Sequence, residues 1–159
     1  MALRPKILAV TIWLLAGAVL LSGNPALAGT TAPSINEVTV VTAQAQHKFR
    51  VELAATEGTR RTGLMHRRAL ANEAGMLFIF PNSARHSFWM KNTLIPLDML
   101  FIASDGRIVY VHHMAQPHSL TPIAPPQDAR AILEINGGLS RRLGIAAGDQ
   151  VLHPRLTGQ

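Results

Sequence analysis

Hydrophobic and polar positions alternate with a period of two along short stretches of this chain, which is the pattern of half-buried β-strands. Residues 49–54 follow the alternation, and residues 76–80 form a continuous apolar run typical of a strand buried on both faces. The densest apolar stretch is residues 87–102, which we interpret as two strands around a corner at Pro96, because proline cannot donate to a ladder. Strands therefore dominate the predicted fold.

Further strands are predicted where β-branched and apolar residues cluster: residues 37–42 as an edge strand, then 97–103, 107–114, 129–135 and 150–153. Asp105-Gly106 predicts a hairpin turn. Thr56 is a predicted N-cap for a helix over residues 57–66, and residues 139–143 form about one helical turn. The fold class is mainly β (α+β), a compact barrel-like antiparallel sheet of about seven short strands with one or two short helices. An open sheet with a helix on one face is the alternative.

The N-terminal segment has the order of a secretory signal peptide. Arg4 and Lys6 precede an apolar run over residues 7–21, and Ala26-Leu27-Ala28 follows it. We predict residues 1–28 as the signal peptide, cleavage after Ala28, and a periplasmic or secreted protein. An uncleaved membrane anchor is the alternative, although the run is short for a span of about 20 residues.

After that segment we predict a flexible leader with the edge strand (residues 29–46), a single β-rich domain (47–154) and a tail (155–159). The chain has no cysteine, which excludes thiol catalysis, thiolate zinc sites and iron–sulfur clusters, and no cofactor is predicted. Loss of Arg4 and Lys6 would lower 15 Lys and Arg to 13 against 9 Asp and Glu. This basic balance fits an anionic small molecule or an envelope polymer as partner, or serves solubility alone. No basic stripe with interleaved aromatic residues indicates nucleic acid, and membrane contact is expected only through an uncleaved signal segment.

One candidate for acid–base chemistry pairs Asp98 with a histidine across the predicted hairpin. A two-residue turn places Asp98 opposite His113, and a three-residue turn with a bulge at Gly106 places it opposite His112. Directly opposed residues lie close enough for their side chains to interact, and a carboxylate beside an imidazole favours general-base catalysis. A purely structural pair is the alternative.

A second candidate is a copper site, because imidazole and thioether ligands together suit Cu(I). Its candidate ligands are His112, His113, Met114 and His118. Adjacent residues in a regular strand point to opposite faces, so His112 and His113 would not share one site, and no metal site is predicted on balance.

The favoured candidate is a basic cleft in a non-catalytic binding or accessory domain of the envelope. Arginine suits carboxylate and phosphate groups, and a helix packed beside the 91–92 corner would bring such groups together. The predicted ligand-binding residues are Lys91, Asn92, Arg60, Arg61 and Glu134. A solvated basic face is the alternative.

Several ordered motifs support a resemblance. They are Gly63-Leu64-Met65-His66-Arg67, Gly75-Met76-Leu77-Phe78, Phe88-Trp89-Met90-Lys91-Asn92-Thr93, Pro96-Leu97-Asp98-Met99-Leu100-Phe101 and Leu133-Glu134-Ile135-Asn136-Gly137-Gly138, with Gly144-Ile145 before Gly148-Asp149. Over about residues 47–153 the chain resembles the family called domain of unknown function 192. The resemblance implies a small, mostly β domain that is often exported, and it implies no activity and no catalytic residues.

Overall fold

The computed structural model describes residues 36–156 of the chain. The signal peptide and cleavage site predicted for residues 1–28 lie outside the described residues, as do residues 29–35 of the leader and 157–159 of the tail. No helix within residues 36–156 is long and apolar enough to cross a membrane.

The mainly β fold predicted from the sequence is confirmed. The elements in chain order are β1 (Glu37–Val41), β2 (Gln46–Ala54), α1 (Glu57–Thr62), β3 (Ala74–Ala84), β4 (Leu97–Ile102), β5 (Ile108–Ala115), β6 (Ala129–Asn136), α2 (Leu139–Arg142) and β7 (Gln150–Leu152).

All seven strands belong to one curled sheet, in the order β5-β4-β6-β3-β2-β1-β7. Ile108 donates its N–H to the Asp149 carbonyl and Val151 donates to Gly106, both at 2.8 Å. These bonds join the two outer strands at one end, so the sheet is barrel-like rather than open. The strand predicted at the edge, β1, lies between β2 and β7 instead, because β7 returns from the end of the chain to cover it.

One strand pair differs from the predicted antiparallel pattern. β2 and β3 run parallel, while the other five strand pairs are antiparallel. A parallel pair needs a crossover connection, and α1 lies in that connection. Thr56 is the N-cap, as predicted, and forms a capping box with Thr59. The helix ends at Thr62, earlier than predicted, because Gly63 leaves the helical conformation with φ +50.

The sheet buries apolar side chains on both faces. Its inner face holds one core with side chains from all seven strands, and its outer face holds a second core covered by the turn after α1 and the loops before β4 and β6. The register places Asp98 beside Ile135 on the inner side and Met99 beside Glu134 on the outer side. The two buried carboxyl groups therefore lie on opposite faces of the sheet.

The strand predicted just before Pro96 is absent. Residues 88–91 form one isolated bridge, Phe88 with Ile123, and one further bond from Met90 N–H to the Ser119 carbonyl at 2.9 Å. The neighbouring segment, residues 117–126, carries four prolines, and each proline removes a backbone donor. Opposite Met90, the N–H of Thr121 bonds Ser119 Oγ at 3.2 Å, so the ladder does not continue past the Met90 bond. The predicted side-chain alternation survives, since Trp89 is 55% exposed and Met90 is fully buried.

Candidate functional site

A pocket of about 290 Å³ opens on the outer face of the sheet, between α1 and residues 87–93. Its walls are mainly aromatic: Phe78 and Phe80 from β3, with Phe88 and Trp89 from the loop. The Phe78 and Phe88 rings meet edge to face with centroids 5.1 Å apart, which is a favoured geometry for two aromatic rings. The pocket is thus a preformed apolar recess in the surface.

Glu134 lies at the deep end of this pocket. It belongs to β6, a strand in the interior of the sheet, where Met76 of β3 and Met99 of β4 flank it. Only 4% of the residue is exposed, and no group within residues 36–156 donates a hydrogen bond to its carboxyl group. Burial raises the pKa of Glu134 to about 8, because an apolar environment disfavours the charged form. At pH 7 the carboxyl group is therefore mostly protonated.

Arg60 and Arg61 line the same pocket, as the cleft prediction required. Arg60 is held in place, since its Nη1 donates to the carbonyls of Ala55 at 2.6 Å and Ile79 at 2.9 Å. Its guanidinium also lies 5.1 Å from the centroid of the Phe80 ring. These contacts make Arg60 part of the wall rather than a free anion ligand.

Arg61 is the more available of the two arginines. Its Nη2 bonds Glu57 Oε1 at 2.7 Å, and both side chains are largely exposed. Such an exposed pair contributes at most about 1 kcal/mol, so a ligand at the pocket mouth can replace it at little cost.

Lys91 and Asn92 are not among the described lining residues of this pocket. Asn92 has a left-handed backbone (φ +56) and accepts the His66 N–H at its carbonyl, which fastens the turn after α1 to the loop. Lys91 is exposed and lies 5.9 Å over the Trp89 ring. The predicted cleft is therefore wrong in this part: the structure brings together Arg60, Arg61 and Glu134 without the 91–92 corner.

Asp98 is fully buried and accepts four hydrogen bonds. Its Oδ1 accepts the N–H groups of Met114 and Gly138, and its Oδ2 accepts the N–H and the hydroxyl of Ser140, at 2.5–2.9 Å. Burial alone would raise the pKa of the Asp98 carboxyl, but the hydrogen bonds from Ser140, Met114 and Gly138 outweigh it and lower the pKa. A carboxylate with all its partners inside the protein has a structural role.

Neither histidine contacts Asp98 directly, so the predicted direct pair is wrong. Ser140 lies between Asp98 and His113: its hydroxyl donates to Asp98 at 2.5 Å and lies 2.8 Å from His113 Nδ1. Because that hydroxyl hydrogen points to Asp98, His113 Nδ1 is the donor in the second bond. The three side chains form a bridged chain that braces α2 against the sheet.

The hairpin register explains this arrangement. Met99 pairs with His112, which extends to Asp98 opposite His113, but the register shifts before Leu97 pairs with Ala115. The extra residue is accommodated at Met114 (φ +54), whose N–H turns to the Asp98 carboxylate. The placement of His112 opposite Asp98 is therefore wrong.

The four candidate copper ligands do not all converge, although His112 and Met114 line one pocket. His112 lies beside Tyr110, with its Nδ1 3.4 Å from the hydroxyl, while His113 bonds Ser140 on the other face. Burial is the main reason that the pKa of His112 is lowered, with the charge of His113 adding to it and that of Asp98 opposing it. His118 has a left-handed backbone, and its N–H donates to the Thr93 carbonyl. Within the described part of the chain, no three His, Asp or Glu side chains form a metal-binding group.

Sequence reasoning missed the aromatic wall. Phe78 and Phe80 were predicted only as core of a buried strand, and Phe88 and Trp89 only as another strand. The one usable signal was Glu134, an acidic residue inside the apolar run 131–135. Nothing in the sequence shows that α1 and residues 87–89 leave a recess above it.

Comparisons with known proteins agree with this fold. The chain is similar to a candidate transcription regulator from Sinorhizobium meliloti 1021, with 42% identity, 80% of this chain and 100% of that chain covered, and a TM-score of 0.75. It is also similar to a protein of unknown function from Novosphingobium aromaticivorans DSM 12444, with 40% identity, 82% and 94% of the two chains covered, and a TM-score of 0.73. No protein of curated function matches. The profile of the family DUF192, described as "Uncharacterized ACR", matches residues 38–153. The chain therefore belongs to the DUF192 family, as its motifs predicted.

Proposed function

We propose that this protein is a non-catalytic binding domain of the cell envelope that takes a small organic molecule, or one end of a polymer chain, in the pocket above Glu134. The observation that carries the proposal is a buried carboxyl group without a hydrogen-bond partner among residues 36–156, at the deep end of an open aromatic recess.

The energetic cost of Glu134 supports a binding role. Burial raises the pKa of Glu134 to about 8, so keeping this group in β6 costs free energy at pH 7 that an apolar residue of similar size would avoid. A ligand that bonds the carboxyl group would recover part of it. Apolar pockets with a few placed polar groups are the usual form of small-molecule sites.

The polar lining favours binding over catalysis. Asp98, the acid–base candidate, has all four of its bonds inside the protein and lies on the opposite face. The other polar residues that line the pocket are hydroxyl residues and the α1 charges: Thr62, Ser87, Thr93, Glu57, Arg60 and Arg61. Within residues 36–156, none of these hydroxyl groups bonds a histidine or carboxylate that would activate it as a nucleophile.

The pocket mouth fits an anionic group on the ligand. Arg61 is held only by its exposed pair with Glu57, and a ligand carboxylate or phosphate would accept a bidentate bond from the same guanidinium. We therefore place the anionic part of a small molecule or envelope polymer at Arg61, on the α1 side of the pocket.

A thermal-shift screen of small organic compounds on the full chain tests this proposal. A ligand at a hundred times its Kd stabilises by about 2.7 kcal/mol, a shift of several degrees in Tm. We expect at least one compound to raise the Tm of wild type and of Glu73→Gln, an exposed acidic control, but not of Trp89→Ala. If every stabilising compound acts equally on Trp89→Ala and Glu134→Gln, the pocket is not the binding site and the proposal fails.

Export is a separate part of the proposal. The basic start, apolar run and Ala-Leu-Ala of residues 4–28 support it. We expect protein expressed from its full gene in a Gram-negative host to be recovered from the periplasmic fraction with Gly29 as its first residue. Mass spectrometry of the purified protein measures this directly, and an intact N-terminus in the cytoplasmic fraction would contradict export.

The description of the Sinorhizobium protein as a candidate transcription regulator is not a proposal for this chain. Of three arginines around α1, Arg60 is held by two carbonyls and Arg67 by a two-bond pair with Glu52 at 2.6 Å, which leaves only the exposed Arg61 for a phosphate. Nucleic-acid binding depends on basic groups that are free to meet phosphates.

A further inference from the structure

We infer that the group recognised at the deep end of the pocket is a cationic nitrogen, specifically a primary ammonium carried on a slim apolar body. The inference rests on the proposed function, because it names the class of ligand that the same pocket takes. It assigns Glu134 as the counter-ion and the aromatic wall as the surface that the ammonium and its apolar body contact.

The hydrogen-bonding capacity of Glu134 matches that of an ammonium group. An ionised carboxylate only accepts hydrogen bonds, and an ammonium group only donates them. The Glu134 carboxyl group has no donor within residues 36–156, so its full accepting capacity faces the pocket. A buried charge is tolerated when it is paired and hydrogen-bonded, and a primary ammonium supplies both the opposite charge and the donors.

The aromatic residues in the walls of the pocket favour a cation. Phe78, Phe88 and Trp89 line the recess, and the faces of aromatic rings attract cations. Trp89 already holds a cation on one side, the Lys91 ammonium at 5.9 Å. An aromatic recess with a buried carboxyl group is suited to an ammonium ion, whereas an ionised Glu134 would repel a carboxylate.

The other charged groups around the recess already have partners or point away from Glu134. On α1, Arg60 is bound to two carbonyls and Arg61 is paired with Glu57, whose carboxylate adds a negative charge at the mouth. On the loop, Lys91 is exposed and turned over Trp89.

The neighbouring strands add no competing charge on this face. β3 and β4 present Met76, Phe78 and Met99 there, and Asp98 lies on the inner side. Burial is the only cause of the raised pKa of Glu134, with no contribution from a cation. No described cation is therefore close enough to Glu134 to occupy the place of a ligand ammonium.

Binding of an ammonium at Glu134 should release a proton, and this release can be measured. A protonated ammonium that enters above a protonated Glu134 forms the ion pair R–NH3+···–OOC, and the carboxyl proton leaves to solvent. One proton is thus released for each ligand bound below pH 8. The affinity for an ammonium should therefore rise about tenfold per pH unit between pH 6 and pH 7.5 and level off above pH 8. A neutral or anionic ligand would release no proton.

Isothermal titration of the full chain with benzylamine, benzyl alcohol and benzoate tests the inference, because the three probes share one ring and differ in the terminal group. We expect benzylamine to bind more tightly as the pH rises from 6 to 8, with proton release seen as a buffer-dependent heat. We expect weaker, pH-independent binding of benzyl alcohol and no binding of benzoate in the recess.

Single substitutions test whether benzylamine binding and its pH dependence arise at this pocket. Glu134→Gln should weaken benzylamine binding at pH 8 at least tenfold and remove its pH dependence, whereas Glu73→Gln should change neither. Trp89→Ala, at an exposed position, should weaken benzylamine severalfold without perturbing the core. Benzylamine binding that survives Glu134→Gln, tighter binding of benzoate or benzyl alcohol at pH 8, or no benzylamine binding would each overturn the inference. The proposed function would still be decided separately by the wider screen, where compounds of any charge count.

Discussion

Asp98→Ala should lower the free energy of unfolding by about 4 kcal/mol, because it leaves several buried donors without a partner. The N–H groups of Met114, Gly138 and Ser140, together with the Ser140 hydroxyl, all donate to this one carboxylate. Each stranded buried donor costs about 1–3 kcal/mol, and partial rearrangement or water entry keeps the total below the sum. For a domain of this size the Tm should fall by about 10–20 °C.

The position of Asp98 makes the loss cooperative. Its carboxylate joins β4, the irregularity at Met114 in β5 and the start of α2, so its loss loosens three segments at once. Gly138 presents its N–H from a left-handed backbone (φ +79), a conformation that glycine adopts without strain. Without the acceptor, this turn has no fixed partner for its N–H.

Urea denaturation followed by circular dichroism measures the effect. Asp98→Asn should show a smaller loss, since one amide oxygen still accepts, while its NH2 group faces donors. Ser140→Ala should cost about 1–2 kcal/mol, because only the hydroxyl is removed. The exposed Asp128→Ala is the control, and a loss from Asp98→Ala as small as from this control would contradict the structural role.

The pH dependence provides a second check on Asp98. Its pKa is lowered in the folded protein, so the folded state binds fewer protons than the unfolded state near the unfolded pKa of about 3.9. The stabilisation is therefore fully present above that pH and is lost as the pH falls through the folded pKa. Wild type should lose stability below about pH 4 more steeply than Asp98→Asn.

The sequence predicted the strands well where a local pattern was enough. The alternation at 49–54, the apolar run at 76–80 and the Asp105-Gly106 turn all lie in elements that form as expected. These patterns depend only on side chains a few residues apart. In the structure the same side chains face water or the core as the patterns predict.

The predicted strand pairing and register were wrong where they depended on segments distant in the sequence. The strand expected at residues 88–91 lacks a ladder because its neighbour in space, residues 117–126, turns on itself and bonds the Thr121 N–H to Ser119 Oγ. The register at Asp98 was decided by a shift near Met114 that satisfies the carboxylate. Neither fact is visible within a short window of sequence.

The candidate site was predicted in part for the same reason. Arg60 and Glu134 were both predicted as ligand-binding residues, but in a shared anion cleft with Lys91. In the structure Arg60 is fixed by two carbonyls and Glu134 is an unpartnered acid. The sequence was enough to predict which residues belong to the site. Their hydrogen-bond partners decide what each residue can bind, and these partners depend on how α1 packs against the loop.

Glu134→Gln should raise the free energy of unfolding by about 3 kcal/mol at pH 7, which is the opposite of the usual result for a core substitution. The pKa of Glu134 is about 8 in the folded protein against an ordinary value of 4.5, so folding at pH 7 requires the carboxyl group to take up a proton. Each pH unit across this interval costs about 1.4 kcal/mol. The amide has nearly the same shape and needs no proton.

The sign of the pH dependence follows from the same values. Between pH 4.5 and 8 the folded wild type binds more protons than the unfolded chain, so its stability falls as the pH rises. The difference between Glu134→Gln and wild type should therefore be near zero at pH 4.5, about 3 kcal/mol at pH 7 and constant above pH 8. This window does not overlap that of Asp98, whose contribution changes only below about pH 4.

Urea denaturation of both proteins in steps from pH 4.5 to 8.5 measures this difference, and the histidines cancel because both chains share them. Glu73→Gln, an exposed acidic residue, should run parallel to wild type throughout. Parallel curves for Glu134→Gln would mean that the carboxyl group is not buried without a partner, and would remove the basis for a ligand at that position. A variant that gains stability while losing amine binding would indicate that this position is kept acidic for its ligand, since the fold alone is better served by the amide.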